Sequence, residues 1–394
     1  MARKLDNYHT RVRRRVGSDK KTPPEEMRRL IERARDHINS TKVFRSKADL
    51  NGIVVEYVGN SLHQYEFWKE NWREAPVGVE AHCTIYSASG VEGREPFAYY
   101  SPALSTAVFF NTEYYGQCKS WALGMTAAIL ERKFNTLSIH GALAEYKGKG
   151  VIIIAPTGTG KTSQAFKLFL KPGGKILGDD WAFVQFPEDE DGSGPLTAVQ
   201  PEKSLYMRTE TQLEHAWLRT VFDKRKVENV VEDKEICDYV VDEDRCKLTG
   251  ETCVFDRGYT HCYYSFGNSR AIVPREALLA PEKVADMATV DLVVLLSRDD
   301  HSPPEVRLSP EEALEVLGKG EYMIRPGAGP KEMWGKAGYE PYYNPYLLER
   351  DPKVQDHYFL KIFKDYGVPR VLLNTGPETV EQTHRRILAA LEEN

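Results

Sequence analysis

The stretch VIIIAPTGTGKTSQAF, residues 151–166, constrains the fold of this chain more than any other stretch. It opens with a run of β-branched residues that is typical of a buried strand, and it closes with a segment that is typical of a helix. Between them, glycines allow backbone conformations closed to other residues, so that successive N–H groups can converge on a phosphate near the helix N-terminus. The stretch therefore predicts a phosphate-binding loop between a strand and a helix.

The predicted loop gives each of its residues a role. Lys161 is placed to reach the β- and γ-phosphates of a nucleotide, and the Thr162 hydroxyl is placed to bind Mg²⁺. Ala155 stands where the usual pattern has its first glycine, and a small residue can replace that glycine if its φ is negative. The expected nucleotide contacts are Ala155, Thr157, Gly158, Thr159, Gly160, Lys161 and Thr162.

The composition of the chain limits its class of function. With 394 residues, of which 41% are apolar, the chain can bury a large core and form two domains, or one domain with a substantial extension. A net charge of -5 argues against a general nucleic-acid binder, although the arm RVRRR at residues 11–15 leaves a nucleic-acid or acidic partner open. The longest apolar runs are only as long as a strand, so we predict no membrane span and a cytoplasmic location.

Three segments are expected along the chain. Residues 1–45 are predicted to form a basic helical lead that is partly flexible, and residues 46–135 a small N-terminal α+β domain. Residues 136–394 alternate short apolar strands with helices, a pattern that predicts an α/β nucleotide-binding catalytic domain. We expect its mixed sheet to carry the phosphate loop near the centre.

Two carboxylates and a histidine accompany the predicted loop. Asp179 and Asp180 lie in KILGDDWAFVQF, where we expect them in the middle of one apolar strand. A surface turn of the G-D-D type is the alternative, which the apolar flanks make less favoured. Adjacent carboxylates in such a strand are costly to bury without a cation, so a divalent metal on the bound nucleotide is their expected partner. His140, in LSIHGAL, is expected on an adjacent strand. A lone histidine in such a place is more often a hydrogen-bonded core residue than a ligand. His140 is therefore a candidate ligand only in combination with the loop and the two aspartates.

Four cysteines fall within 26 residues, namely Cys237, Cys246, Cys253 and Cys262. Their spacing lacks the paired CxxC knuckles by which a zinc site is recognised. Ordinary buried or half-exposed thiols are the default interpretation, and both metal binding and disulfide formation stay open.

Several segments, in order, resemble the ATP-utilising phosphoenolpyruvate carboxykinases. The segment NTEYYGQCKSW, residues 111–121, is similar to GTEYAGEMKKG of that family. LSIHGAL resembles the segment with the metal-binding histidine, APTGTGKT the phosphate loop and LGDDW the paired aspartates. Farther on, EKSLYMR is similar to EGGCYAK, GNSRAIVP to ENTRVSYP, and NTGPETVEQTHRRILAAL to the stretch that ends near the adenine site. HPr kinase/phosphorylase, a smaller relative, shares the histidine, the loop and the aspartates.

The resemblance implies a mixed-sheet P-loop domain of the carboxykinase type with a smaller N-terminal α+β domain. It implies ATP and Mg²⁺ as cofactors, held by Lys161 and Thr162. It also implies Mn²⁺ as a candidate second metal, with His140 and Asp180 as ligands. Asp179 would orient a metal-bound water or act as a base.

The same resemblance implies a set of cations around the reacting group. Lys119, Arg208 and Arg270 would supply positive charge to the transferring phosphoryl group, whose transition state spreads charge over its equatorial oxygens. Arg385 or Arg386 would approach the adenine.

Three departures from the carboxykinase pattern concern the acceptor. Ser120 stands where the family has a second lysine, which binds a metal as a neutral amine. Arg208 replaces a lysine, which keeps the charge but changes its geometry. Arg94, in EGREPFAYY, is similar to the arginine of the family's TGRSPKDK segment, which binds the dicarboxylate, but its spacing to Lys119 is far too short for a normal copy.

These departures leave the nucleotide-binding segments intact and alter the segments for the acceptor. They favour an ATP-dependent kinase whose acceptor is a hydroxyl on a small molecule, or on a protein or peptide as in HPr kinase. Two alternatives stay open: a carboxykinase that converts oxaloacetate and ATP to phosphoenolpyruvate, CO₂ and ADP, and a non-catalytic nucleotide-responsive regulator. The expected partners are a nucleotide and a hydroxyl-bearing or dicarboxylate substrate, while the oligomeric state is not predicted.

Overall fold

The chain divides into two compact units in the computed structural model, which describes residues 5–187, 194–237, 239–241, 245–264, 268–324 and 331–393. The first unit comprises Met1–Ala122 and Glu202–Leu278, and the second comprises Leu123–Pro201 and Leu279–Asn394. This division does not coincide with the predicted boundaries at 45/46 and 135/136. The prediction used consecutive stretches of sequence, whereas strands from the 202–278 segment pair with a strand near the N-terminus.

The α-helices begin and end as follows: α1 (Pro24–Asn39), α2 (Leu62–Asn71), α3 (Tyr115–Lys133), α4 (Lys161–Leu170), α5 (Leu218–Phe222), α6 (Arg275–Leu278), α7 (Pro310–Lys319), α8 (Pro352–Leu360) and α9 (Val380–Glu392). A π-helical turn at Lys361–Asp365 follows α8. Short 3-10 helices lie at Pro102–Leu104, Thr209–Leu213, Lys234–Ile236, Pro281–Lys283, Lys331–Met333 and Pro341–Tyr343. No helix in the described ranges is both long enough and apolar enough to cross a membrane.

The strands are β1 (Asp6–Tyr8), β2 (Gly17–Asp19), β3 (Phe44–Leu50), β4 (Ile53–Gly59), β5 (Arg73–Glu74), β6 (Cys83–Ala88), β7 (Phe97–Ser101), β8 (Thr106–Phe110), β9 (Thr136–Ile139), β10 (Gly141–Tyr146), β11 (Lys149–Ile154), β12 (Gly174–Gly178), β13 (Ala182–Gln185), β14 (Thr197–Val199), β15 (Ser204–Arg208), β16 (Lys226–Glu228), β17 (Val240–Val241), β18 (Arg245–Cys246), β19 (Arg270–Pro274), β20 (Met287–Thr289), β21 (Leu292–Ser297), β22 (Glu305–Arg307), β23 (Glu321–Met323), β24 (Ala337–Tyr339) and β25 (Arg370–Asn374).

The first unit is built on two sheets. A seven-stranded mixed sheet has the order β2-β7-β8-β6-β4-β3-β5, and a four-stranded sheet has the order β1-β16-β19-β15. Helix α1 covers part of the larger sheet, because Met27, Leu30, Ala34 and Ile38 recur at helical spacing and are buried in one cluster with residues of β4, β6 and β8. Residues 6–19, predicted as part of a helical lead, instead contain strands β1 and β2, and the helix begins only at Pro24.

The second unit carries the predicted phosphate loop. Its six-stranded sheet has the order β12-β10-β11-β21-β25-β22, in which β11, β21 and β25 are parallel and the other pairs are antiparallel. The predicted α/β class with a mixed sheet is therefore confirmed, and β11, which leads into the loop, is an interior strand. Helix α9 begins at a capping box formed by Thr379 and Gln382, and packs on α4.

A second, antiparallel sheet of this unit has the order β20-β14-β13-β9. The chain passes between the two sheets from β9 to β10, from β12 to β13 and from β20 to β21. Side chains of both sheets and of α7 and α8 share one apolar cluster. KILGDDWAFVQF is therefore not one strand, as predicted, but two strands of different sheets, and Asp179 and Asp180 lie in the bend between them.

Stability of the second unit should depend on pH through His384 on α9. The side chain is 1% exposed, and neither ring nitrogen has a hydrogen-bond partner among the described residues. Burial, together with the charges of Lys171 and Lys167, lowers the pKa of His384 to about 4. An unfolded histidine has a pKa of about 6.5, so below that pH the unfolded chain binds a proton that the folded chain does not.

We therefore expect the free energy of unfolding to fall by about 1–3 kcal/mol between pH 6.5 and pH 4 on account of His384. Urea unfolding at several pH values, for the wild type and for His384→Gln, measures the effect. The variant should lose less stability on acidification than the wild type. An identical pH dependence in both proteins would contradict the assignment to His384.

Candidate functional site

The glycine-containing loop that is predicted to bind phosphate joins β11 to α4, and this strand–loop–helix order agrees with the sequence prediction. Gly158 has a φ of +84° and Gly160 a φ of +98°, a region that strongly favours glycine, and Gly160 is the N-cap of the helix. Lys161 and Thr162 open the helix. Ala155 is buried at the end of the strand and does not have a positive φ, so the alanine is compatible with the backbone at this position.

Two hydrogen bonds from outside the loop and one within it hold the carbonyl oxygens of the loop. The hydroxyl of Thr375 donates to the carbonyl of Thr159 over 3.0 Å, and Arg298 donates to the carbonyl of Gly158 over 3.2 Å. The hydroxyl of Thr159 donates to the carbonyl of Pro156 over 2.8 Å. Because carbonyl oxygens repel a phosphate, their engagement by these donors suits an anion-binding loop. Thr157 is exposed.

Two substitutions test the loop geometry. Gly160→Ala should cost about 1–3 kcal/mol of stability, because its backbone conformation is strained for any residue with a Cβ although no atom lies within 4 Å of the added carbon. Ala155→Gly, which restores the usual pattern, should cost only about 0.5–1 kcal/mol, through added freedom of the unfolded chain. Thermal unfolding and calorimetric titration with Mg·ATP measure both. Weaker nucleotide binding by Ala155→Gly than by Gly160→Ala would contradict this account.

Two of the passages between the sheets of the second unit bring His140 and Asp180 together. His140 lies between β9 and β10, and Asp180 lies between β12 and β13. Strand β9 pairs with β13, and β10 pairs with β12, so the two segments that cross between the sheets lie next to each other. The nearest paired positions on either side are Ile139 with Ala182 and Leu143 with Gly178. This crossing was not predicted.

Lys161, His140 and Asp180 form one polar cluster beside the loop. Nε2 of His140 lies 2.9 Å from Nζ of Lys161 and 3.2 Å from Oδ1 of Asp180. Nζ of Lys161 lies 3.8 Å from the same carboxylate oxygen. The cation thus lies close to both a nitrogen and an oxygen lone pair, a donor pair that is also suited to a metal ion.

His140 is held as a neutral imidazole. Its Nδ1 lies 2.5 Å from the carbonyl oxygen of Tyr343, and this contact requires the proton on Nδ1. Burial, and then the charge of Lys161, lower the pKa of His140, while Asp180 and the Tyr343 carbonyl act in the opposite direction. Nε2 therefore presents a lone pair, and a carbonyl partner on the opposite ring nitrogen is the usual arrangement of a metal-binding histidine.

Residues 342–346 hold His140 and were missed by the sequence reasoning. Tyr342 and Tyr343 have φ values of +56° and +49°, which bulky residues adopt rarely. The ring of Tyr346 contacts the His140 ring edge to face, with 4.8 Å between centroids. The run PYYNPY has no chemical signature of such a role, because its contribution is one backbone carbonyl and one ring face.

The residues present fit the two expected metals to different degrees. A nucleotide-bound Mg²⁺ takes one or two protein ligands beside phosphate and water oxygens, and Thr162 with the half-buried Asp179 supplies such oxygens. For a second metal, His140 and Asp180 are two converging donors. Within the described ranges, no three His, Cys, Asp or Glu side chains are arranged to hold an ion alone. A second ion would therefore need water or phosphate as further ligands.

A basic cluster lies in the first unit. Arg208 on β15 and Arg270 on β19 are directly opposite each other in an antiparallel pair. The charge of Arg270 lowers the pKa of Arg208, which Glu210 partly offsets through a 3.2 Å contact. Like charges at opposite positions of a sheet destabilise it, so this pair is suited to binding an anion.

Lys119 on α3 belongs to the same surroundings. Its buried ammonium lies 3.1 Å from Oε1 of Glu202 and 5.9 Å from the centre of the Tyr206 ring. The guanidinium of Arg270 lies 5.6 Å from the same ring. Lys119 and Arg270 therefore meet at the Tyr206 ring, and Arg208 lies opposite Arg270. Glu202 and Tyr206 are members of the cluster that the sequence did not identify.

A fourth cation comes from the N-terminal arm. The guanidinium of Arg15 donates to the hydroxyl of Ser120 over 3.3 Å, and the backbone N–H of Val16 donates to Gln117 over 2.9 Å. The arm therefore brings an arginine to Ser120. The charge run in the sequence gave no indication of this target.

Three arginines with weaker predictions lie elsewhere. The guanidinium of Arg94 lies 4.8 Å from the centre of the Phe110 ring and donates to the hydroxyl of Tyr99 over 3.4 Å. Arg385 on α9 is exposed. Arg386 forms ion pairs with Glu378 and Glu305, so it is less available than Arg385 to bind a nucleotide.

The predicted site residues are thus distributed over both units. Lys119, Arg208 and Arg270 belong to the first unit, and the phosphate loop, His140, Asp179 and Asp180 to the second. No known protein family matches the sequence, and comparison with curated proteins finds no relative. The resemblance to carboxykinases therefore stays a prediction.

Proposed function

We propose that this protein binds ATP with Mg²⁺ and transfers the γ-phosphoryl group to a hydroxyl acceptor, on a small molecule or on a protein or peptide. The observation that carries the proposal is the cluster beside the glycine loop, where Lys161 lies within 4 Å of a neutral His140 and of Asp180. A loop that only bound nucleotide would need Lys161 but neither of the other two. The proposal includes the carboxykinase-type P-loop fold for the second unit and a cytoplasmic location.

The chemistry follows from the charges. The transferring phosphoryl group spreads negative charge over its oxygens, so fixed cations and correct positioning supply most of the rate. Lys161 and the N-terminus of α4 would hold the phosphates, and bound Mg²⁺ would neutralise further charge. Asp179 is the candidate base for the acceptor hydroxyl.

The basic cluster of the first unit supports an anionic substrate group. Arg208 and Arg270 repel each other across the sheet, and that repulsion would be relieved by a phosphate or carboxylate. Arg15, beside Ser120, adds a permanent charge where the family has a neutral metal-binding lysine. Arginine offers a planar fork of donors to such groups, whereas it does not bind metals as an amine does.

The test is ³¹P NMR of the purified protein with ATP, Mg²⁺ and Mn²⁺, alone and with a panel of hydroxy acids, polyols and hydroxyl-bearing peptides. Oxaloacetate forms a separate arm, and calorimetry measures Mg·ATP binding in parallel. A new phosphomonoester signal that appears with ADP supports the kinase. Formation of phosphoenolpyruvate from oxaloacetate would instead assign the carboxykinase reaction to the protein.

Two further outcomes would overturn the proposal. Binding of Mg·ATP without transfer to any acceptor would favour the nucleotide-responsive regulator. Failure to bind Mg·ATP would exclude ATP as a ligand of the protein. The Lys161→Ala variant is the control for contaminating kinases, because it changes the loop and not the purification.

A further inference from the structure

Four cysteines of the first unit line a single small cavity. Cys237 follows a 3-10 turn, Cys246 ends β18, and Cys253 and Cys262 lie farther along the same segment. Cys253 and Cys262 are buried, and the other two are half-buried. None of these four cysteines forms a disulfide bond in the structure. The four cysteines, which are separated in sequence by eight, six and eight residues, therefore line the same cavity.

Among its described residues, the segment around this cavity has few other stabilising features. Its strands β17 and β18 have two residues each, and its apolar cluster has three buried members, Val231, Val254 and Cys262. A core of this size does not hold a small lobe together, and such lobes depend on disulfides or on a structural metal ion. The thiols are the available groups for either.

We propose that Cys237, Cys246, Cys253 and Cys262 bind one Zn²⁺ ion as a tetrathiolate structural site. Zinc prefers four sulfur ligands in tetrahedral geometry at about 2.3 Å. Binding converts four thiols and one Zn²⁺ into a zinc tetrathiolate of charge −2 and releases four protons. Arg257 lines the same cavity and gives this dianion a cationic neighbour.

The sulfur atoms do not yet surround one point at ligand distance. Zinc binding therefore draws them together and closes the cavity. Two of the cysteines begin tight turns: the N–H of Gly250 donates to the carbonyl of Cys246 over 2.7 Å, and the N–H of Arg257 donates to that of Cys253 over 3.2 Å. These turns fix the backbone at two ligands, so the adjustment falls on side chains and on the connecting stretches.

The adjacent histidine is not a ligand. Nε2 of His261 lies 3.0 Å from Asp223, and its Nδ1 lies 3.1 Å from the hydroxyl of Thr260. Both ring nitrogens are therefore engaged outside the cavity. The ligand set is four cysteines, and zinc is the metal most consistent with a closed, all-thiolate site that serves structure.

Zinc content of the full-length protein tests this proposal. The protein is purified with a non-chelating reductant, incubated with ZnCl₂ and desalted, and its metal content is then measured by inductively coupled plasma mass spectrometry. We expect one zinc per chain in the wild type and less than a tenth of that in Cys246→Ser and Cys253→Ser. Cys83→Ala, which removes a buried cysteine on β6, should retain the full zinc content. Replacement by Co²⁺ should give the visible absorption of a tetrahedral thiolate site.

A second measurement applies to the wild type alone, in case a variant fails to fold. Removal of the metal by a chelator should expose residues 231–264 to proteolysis, and ZnCl₂ should restore protection. Absence of zinc with four reactive thiols would overturn the proposal. A mass lower by four hydrogens after purification without reductant would overturn it in favour of two disulfides. Neither result bears on nucleotide binding, which belongs to the second unit.

Discussion

Lys161→Ala is expected to lower phosphoryl transfer by at least about 10³-fold. The Lys161 ammonium belongs to the cluster with His140 and Asp180 beside the loop. Its removal takes away a fixed positive charge that would stabilise the phosphates. The rate of ADP and product formation, followed by ³¹P NMR, measures the effect. Mg·ATP affinity should also fall, because the same charge holds the triphosphate before the reaction.

Lys167→Ala is the matched control, since it removes a lysine from the same helix. Its ammonium is bound to Glu381 on α9 over 2.8 Å and is one-third exposed, so it contributes a surface ion pair. Such pairs contribute about 0–1 kcal/mol to stability. We expect near-normal turnover. If Lys161→Ala kept more than a tenth of the activity of Lys167→Ala, Lys161 would not have the proposed role.

The Lys161 variant has a second consequence, which does not depend on knowing the acceptor. The charge of Lys161 lowers the pKa of His140, so its removal should raise that pKa. His140 would then gain a proton at a higher pH and form an ion pair with Asp180. The NMR titration of the histidine ring follows this shift. No change in the pKa of His140 would contradict the cluster geometry.

Local sequence was sufficient to predict the strand, the glycine turn and the helix of the candidate phosphate loop. The strand, the glycines and the helix are neighbours in the chain, and their physical requirements are written in consecutive residues. The pairing of His140 with Asp180 depends on two chain crossings between sheets that lie about 40 residues apart in sequence. Both residues were predicted as ligands through the family resemblance, but the strand assigned to Asp179 and Asp180 was wrong.

Other members of the clusters could not be predicted. Tyr343 contributes its backbone carbonyl, which an unusual backbone conformation directs toward His140. No residue type in the sequence predicts such a contact. Arg15 lies about 100 residues before Ser120, within a charge run that is typical of a solvated segment. The meeting of Arg208 with Arg270 requires the register of β15 and β19, which a single sequence does not determine.

Asp179→Asn and Asp180→Asn should separate the roles of the two adjacent carboxylates. If Asp179 is the base for the acceptor hydroxyl, its amide should slow the single-turnover rate by about 10²–10⁴-fold and leave the affinity for Mg·ATP nearly unchanged. Asp180 contacts His140 and Lys161 instead. Its amide should weaken the dependence of the rate on Mn²⁺, and should lower the pKa of His140 further because the carboxylate raises that pKa.

Rapid-quench measurements with saturating Mg·ATP give the chemical rate, and calorimetry gives the affinity, so the two variants can be compared on both scales. Asparagine keeps the size of the side chain, which limits any change in packing. An equal loss of rate and affinity in Asp179→Asn would assign Asp179 to the nucleotide-bound metal, because a ligand of that ion acts before and during the transfer. The acceptor hydroxyl would then lose its proton without a protein base, and its positioning alone would have to provide the rate.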